Sequence, residues 1–163
     1  KHKNINFKTV NTSQVSNQNE HKKNTTNYSK SEDIKNWFQT IYIPIDKLLG
    51  QIINPLSSKI RDLSADPYDE ILMDSFCTYL DKSKSKIKKI KILYTSIVSP
   101  SLIKDFSLEL YHCLSQVEDG LNELERYTMG YVDNYLHDGK SMLAEAKKKR
   151  KFLQNNKKDW LNL

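Results

Sequence analysis

"IYIPIDKLLGQIINPL" (residues 41–56) holds two prolines and a glycine, yet its apolar residues keep helical spacing past each of these breakers. Extended in both directions, the pattern becomes a stripe of Ile34, Trp37, Phe38, Ile41, Ile45, Leu48, Leu49, Ile52, Leu56, Ile60 and Leu63. Steps of three and four dominate, the signature of an amphipathic helix with one buried face. Pro44 and Pro55 each remove a backbone donor and crowd the preceding turn. Because the stripe keeps phase across them, one helical layer is expected over about residues 32–64, kinked near both prolines. A membrane span is excluded, since Asp46 and Lys47 interrupt the stretch and it falls short of the roughly 20 apolar residues a span needs. A groove opened at Gly50, between the two kinks, is the functional expectation attached to it.

Downstream, "ADPYDE" (65–70) reads as a helix start, with Asp66 as N-cap and Pro67 in the first helical position. The helix is expected over 67–97, with Leu72, Phe76, Leu80, Ser83, Ile87, Ile90, Tyr94 and Ile97 inward. It stops before Pro100, which disfavours helical geometry at Ser99. A third helix over 101–137 carries Phe106, Leu110, Cys113, Val117, Leu121, Leu124, Thr128, Tyr131 and Tyr135. "HDGK" (137–140) then suggests a stop, with Gly139 as a left-handed residue. A last helix over 140–156 turns Met142, Leu143, Ala146 and Leu153 inward, unless it and the third helix form one rod. Short connections make neighbours antiparallel. The fold expected is all-α: an elongated antiparallel three- to four-helix bundle over residues 32–163.

The net charge of +6 is unevenly placed. Residues 1–31 hold six lysines (Lys1, Lys3, Lys8, Lys22, Lys23 and Lys30) and a single acid, Glu20, leaving only +1 for the rest of the chain. A duplex-binding domain concentrates positive charge on its folded surface. Residues 1–31 are instead rich in Asn, Ser, Thr and Lys without period, the composition of a disordered or extended tail or tether. Apolar residues make up 37 % of the chain, against about 45–50 % in typical globular proteins. The Lys, Asn and Ile bias points to an AT-rich genome.

Few residues fit catalytic chemistry. His2, His21, His112 and His137 are scattered, and no H-E-x-x-H, C-x-x-C or EF-hand pattern occurs. Four glycines form no phosphate-binding loop. The acids of "EDGLNELE" (118–125) flank an apolar stripe and read as a solvated face. No catalytic residue, metal or cofactor is expected, and the protein is read as a non-enzyme. Cys77 and Cys113 are expected to be free thiols, since the helix pairing sets them out of register. Contact candidates are basic: Lys147, Lys148, Lys149, Arg150 and Lys151 in "KKKRK", with Lys84, Lys88 and Lys91 in "DKSKSKIKKIK" (81–91). Tyr127, Tyr131 and Tyr135, at i, i+4 and i+8, suggest a seam between helices.

From "IKKIKILYTSIVSPSLIKDFSLELYHCLSQVEDGL" to "YVDNYLHDGKSMLAEAKKKRKFL", within residues 85–153, the chain resembles small helical domains of extracytoplasmic lipoproteins of low-GC Gram-positive bacteria. That resemblance implies a bundle outside the membrane, tethered through residues upstream of Lys1, and it carries over no functional residue. The function expected is a non-catalytic interaction or scaffold domain, meeting a protein partner or an anionic envelope surface. The alternative is a cytoplasmic regulator that binds nucleic acid through Lys82–Lys91 and Lys147–Lys151.

Overall fold

The computed structural model describes residues 30–161. Most of the expected tail, residues 1–29, lies outside them. The described residues form helices joined by short turns, with no strand among them. Helix α1 (30–53) is α-helical to residue 37, π-helical over Phe38–Tyr42 and α-helical again over Ile43–Ile53. It is followed by α2 (Leu56–Ala65), α3 (Glu70–Ser96), a 3-10 turn (Ser101–Ile103), α4 (Lys104–Gly130) and α5 (Asp133–Leu161). The architecture is the all-α antiparallel bundle that the sequence pattern implies.

The two prolines of α1 act differently. In an α-helix the Pro44 ring would crowd the carbonyl four residues back. The chain avoids this by widening the preceding turn, so that the Ile43 N–H donates to the Phe38 carbonyl five residues back. The helix continues through Pro44, and Phe38, Ile41, Tyr42, Ile45 and Leu49 all stay buried. Pro55 instead ends α1. The Asn54 N–H closes the last turn on the Gly50 carbonyl at 3.0 Å, and the Pro55 carbonyl accepts the Lys59 N–H of α2 at 3.1 Å.

The start of α3 corrects the sequence reading. The cap is Asp69, whose carboxylate accepts the Leu72 N–H at 3.0 Å, and the helix begins at Glu70. Asp66 cannot cap it, because its carboxylate accepts the Tyr68 N–H at 3.1 Å and its carbonyl accepts the Asp69 N–H at 3.3 Å. That self-closing Asp turn keeps Pro67 out of the helix. At the other end, the Thr95 and Ser96 hydroxyls bind the Lys91 and Leu93 carbonyls at 3.0 and 2.7 Å, and Leu93 is among the last four carbonyls, which a helix leaves open.

A second correction concerns the last two helices. Residues 101–156 are two helices rather than one, and the break falls at Gly130–Val132 instead of 137–139. Tyr131 takes the left-handed conformation, φ 53°, and its N–H donates to the Tyr127 carbonyl at 2.8 Å. A non-glycine residue pays roughly 1–2 kcal/mol there; Tyr131 stacks on Tyr68 at 5.8 Å and meets Tyr127 edge-on at 6.1 Å. Gly139, expected to end a helix, lies buried inside α5 against α4. A Cβ on it would sit 2.9 Å from the Gly120 carbonyl oxygen and 2.8 Å from Leu124, and one on Gly120 would sit 2.7 Å from Leu143. The two glycines are the points of closest approach between the helices. The last helix also runs on past 156 to Leu161.

Side-chain pairs show the antiparallel order. Lys91 reaches Glu118 and Tyr94 reaches Ser107, pairing α3 with α4. Lys149 reaches Glu109 and the Cys113 thiol reaches the Ala146 carbonyl, pairing α4 with α5. Asp46 with Arg150 pairs α5 with α1, and Tyr79 with the Ile52 carbonyl pairs α3 with α1. At one end Trp37, Phe38, Tyr42 and Phe106 form an aromatic cluster with centroids 4.9–6.4 Å apart. Edge-to-face geometry of this kind adds about 0.5–1.5 kcal/mol per pair beyond burial.

Glycine-to-alanine substitutions separate contact from propensity. Gly139→Ala should lower stability by about 1–3 kcal/mol through overpacking. Gly130→Ala meets only Val132, at 3.7 Å, and should raise it by up to about 1 kcal/mol through helix propensity. Urea midpoints of the two variants check both signs.

Candidate protein-binding clefts

Gly50 does not open a groove. The Arg150 guanidinium lies across it, so that a Cβ at Gly50 would meet Nη2 at 2.9 Å. Arg150 Nε donates to Asp46 Oδ1 at 2.8 Å, and Nη2 donates to the Asp46 carbonyl at 3.1 Å and to Oδ2 at 3.2 Å. Gln154 Nε2 lies 3.0 Å from both Asp46 oxygens. The gap between the two prolines thus holds an internal clamp, in which the planar fork of arginine is matched to one carboxylate. Beneath it, the Cys113 thiol is fully buried, and burial pushes its pKa from 9.0 up to about 12. Burial, reinforced by Asp46, raises the Tyr42 hydroxyl still further.

The other basic candidates scatter. Lys84 pairs with Glu125, Lys91 with Glu118 at 2.8 Å, Lys148 with Glu145 on its own helix at 2.7 Å, and Lys149 with Glu109 at 2.9 Å. Among the described residues Lys88, Lys147 and Lys151 make no ion pair. Of the eight candidate cations in the two basic stretches, Lys84, Lys91, Lys148, Lys149 and Arg150 are thus paired with carboxylates of the bundle. The tyrosine seam is also interrupted, because α4 ends before Tyr131. Tyr127 is buried, Tyr131 caps the turn, and Tyr135 lies under Arg126 at 5.8 Å. Both cysteines are free thiols.

Two clefts are formed with α5, beside smaller ones of about 380 Å³ between the Pro55 turn and α3 and of about 120 Å³ between α3 and α4. The first, of about 520 Å³, lies between α2 and α5. Pro55 turns α2 onto α3, where Lys59 Nζ reaches Ser75 Oγ at 2.7 Å, and this leaves α5 uncovered on that side. Leu56, Ile60 and Leu143 line it with Arg61, Lys140 and Lys147, and no carboxylate lines it. The second, of about 550 Å³, lies between the start of α4 and the end of α5, with Phe106, Phe152 and Trp160 beside Asp105, Glu109 and Asp159. Of these residues the sequence reading singled out only Lys147 as a contact. Lys140, Leu143, Ala144 and Lys147 fall at i, i+3, i+4 and i+7, one face of a helix, so that signal was present. Arg61 gave none, since its role depends on the turn at Pro55. The described residues hold no group of three or more His, Cys, Asp or Glu placed for a metal, and none of their helices is long and apolar enough to cross a membrane.

Residues 29–161, which span the whole described bundle, match the family described as the cyanobacterial DnaJ chaperone, C-terminal domain. No curated protein and no solved structure matches the chain significantly.

Three measurements check the clamp and the thiol beneath it. Arg150→Ala should lower stability by about 1–3 kcal/mol, the range for a half-buried charged hydrogen-bond network, whereas Lys151→Ala should change it by less than about 0.5 kcal/mol. Iodoacetamide should modify Cys77 in the native protein and reach Cys113 only after unfolding, because the thiolate is the nucleophile. Unfolded Cys113 ionises near 9.0 and unfolded Tyr79 near 10.0, while burial holds both folded groups up to about 12. The native state then binds more protons, so stability should be intact below pH 9.0 and fall as pH rises above it.

Proposed function

The chain belongs to the cyanobacterial DnaJ chaperone C-terminal domain family, and on that footing we propose that it is a non-catalytic, polypeptide-binding domain of a chaperone. Its α2–α5 cleft would receive an apolar segment flanked by carboxylates. The observation that carries this reading is the lining of the cleft, with apolar side chains below three cations and no acid. Arg61 has only a loose, exposed pairing with its neighbour Asp62 at 3.6 Å. Apolar burial supplies affinity at such a site, and the unmatched cations select the sign of the partner.

A non-catalytic role has its own support. The groups whose ionisation is displaced are Tyr42, Tyr79, Cys113 and Tyr127, first of all by burial, and Lys91, first of all by its hydrogen bond to Glu118. None of the five lines this cleft, where a catalytic group with perturbed ionisation would be expected. Nucleic-acid binding is the second reading: counterion release needs unpaired cations, and Lys84, Lys91, Lys148, Lys149 and Arg150 are engaged by carboxylates of the bundle. That leaves Lys82, Lys86, Lys88, Lys89, Lys147 and Lys151 without an ion pair among the described residues and divided between α3 and α5. The tether and the extracytoplasmic placement rest on residues 1–31 and on the lipoprotein resemblance, and they carry no part of this proposal.

Fluorescence anisotropy of a short labelled peptide of alternating Glu and Leu tests it. The full chain should bind the peptide, and the Lys140→Glu/Lys147→Glu double variant should bind it at least about tenfold more weakly, as expected for like charges placed opposite a ligand. Lys151→Glu should bind like the parent. Equal affinity for the parent and the double variant would refute the assignment.

A further inference from the structure

We infer that the cleft between the start of α4 and the end of α5 is a second recognition site, independent of the α2–α5 cleft and of opposite preference. It fits a polypeptide segment that carries a lysine or arginine next to an apolar side chain. The floor is fixed: Phe106 is 2 % exposed and packs on Trp37, Phe38 and Tyr42 on one side and on Trp160, 6.1 Å away, on the other. The wall is open, since Phe152 is 57 % exposed although Leu153 beside it already supplies the buried face of α5 at that turn. An aromatic ring held in water next to a cleft is a surface for an apolar partner.

The charges around this floor are negative, and no cation lines it. Glu109 is held by Lys149 of α5 at 2.9 Å. Asp105 and Asp159 have no ion pair among the described residues. Asp105 sits in the first turn of α4, where the helix dipole welcomes a carboxylate. Asp159 does not share that explanation. It lies near the C-terminal end of α5, where the dipole disfavours negative charge, so it opposes the stability of its own helix. A carboxylate placed there next to Trp160 suits a bound cation, which gains both the ion pair and the ring face. An apolar side chain of the same segment would lie between Phe152 and Trp160. The same carboxylates repel nucleic-acid phosphates and anionic lipid headgroups, which leaves a cationic polypeptide as the matching class.

Tryptophan emission reads this site directly. The chain has two tryptophans; Trp37 is 1 % exposed and already shielded from water, so a blue shift on binding reports Trp160. Titrating the full chain with a short peptide of alternating Lys and Leu should give a saturable blue shift, and the Glu and Leu peptide should give none. Asp105→Asn/Asp159→Asn should weaken the response by about tenfold, the scale of two partly exposed ion pairs. Phe152→Ser should weaken it as well, and Lys140→Glu/Lys147→Glu should leave it unchanged. The inference is overturned if the Lys and Leu peptide gives no saturable shift, if the double Asn variant responds like the parent, or if reversing Lys140 and Lys147 abolishes the response.

Discussion

The close approach of α4 and α5 at Gly120 and Gly139 is the constraint on which the rest of the structure depends. Without side chains at these positions the backbones meet, with each glycine facing the carbonyl of the other and Leu124 and Leu143 closing the sides. That contact sets the register of the hairpin. Moving outward from it, Cys113 falls opposite Ala146 and Glu109 opposite Lys149, and at the open end of the hairpin Phe106 meets Trp160. The same register turns Arg150 toward α1, where Asp46 and Gly50 receive it. The first cleft forms where α2 turns away from α5 onto α3, and the second lies between the open ends of the hairpin itself.

The helix breakers in this chain mostly admit something instead of breaking a helix. Pro44 is absorbed by a π-helical turn, and the helix runs on. Gly50 makes room for a guanidinium, and Gly120 and Gly139 make room for each other. With only four glycines in 163 residues, three sit at such contacts, and the fourth, Gly130, is the last residue of α4. A buried helical glycine gives up roughly 1 kcal/mol of propensity relative to alanine. Here the backbone approach it permits repays that loss through packing.

This explains what was legible in the sequence and what was not. The apolar stripe of α1 and α2 was readable residue by residue, because burial imposes the 3.6-residue period whether or not the backbone hydrogen bonds follow the α pattern. Ile34, Trp37, Phe38, Ile41, Ile45, Leu49, Ile52, Leu56, Ile60 and Leu63 are all buried, and the π turn left the pattern intact. The helix ends were harder to read. "ADPYDE" carries three acids able to cap, and the choice of Asp69 over Asp66 follows from the local turn that Asp66 closes on Tyr68. "HDGK" looks like a stop, and the true stop has tyrosine in a conformation that favours glycine. Local propensity pointed to Gly139, and tertiary contact decided against it. The fold was therefore readable from period, whereas the clefts depend on which helices diverge, and no local pattern records that.

Charge shows the same separation between pattern and place. "KKKRK" reads as one basic block, but successive helical residues point about 100° apart. Lys147 lines the α2–α5 cleft, Lys148 pairs along its own helix, Lys149 crosses to α4 and Arg150 crosses to α1. Lys151 alone of the five is left to solvent without an ion pair or a cleft among the described residues. Two of the five cations, Lys149 and Arg150, tie α5 to its neighbours, so part of the block's positive charge is internal to the fold. Free charge of opposite sign lies at the two clefts, positive beside α2 and negative at the far end of α5. Further lysines without an ion pair among the described residues (Lys82, Lys86, Lys88 and Lys89) lie along α3. The opposite signs at two separated apolar clefts are what the proposed discrimination of partners by charge rests on, with burial supplying the affinity at each.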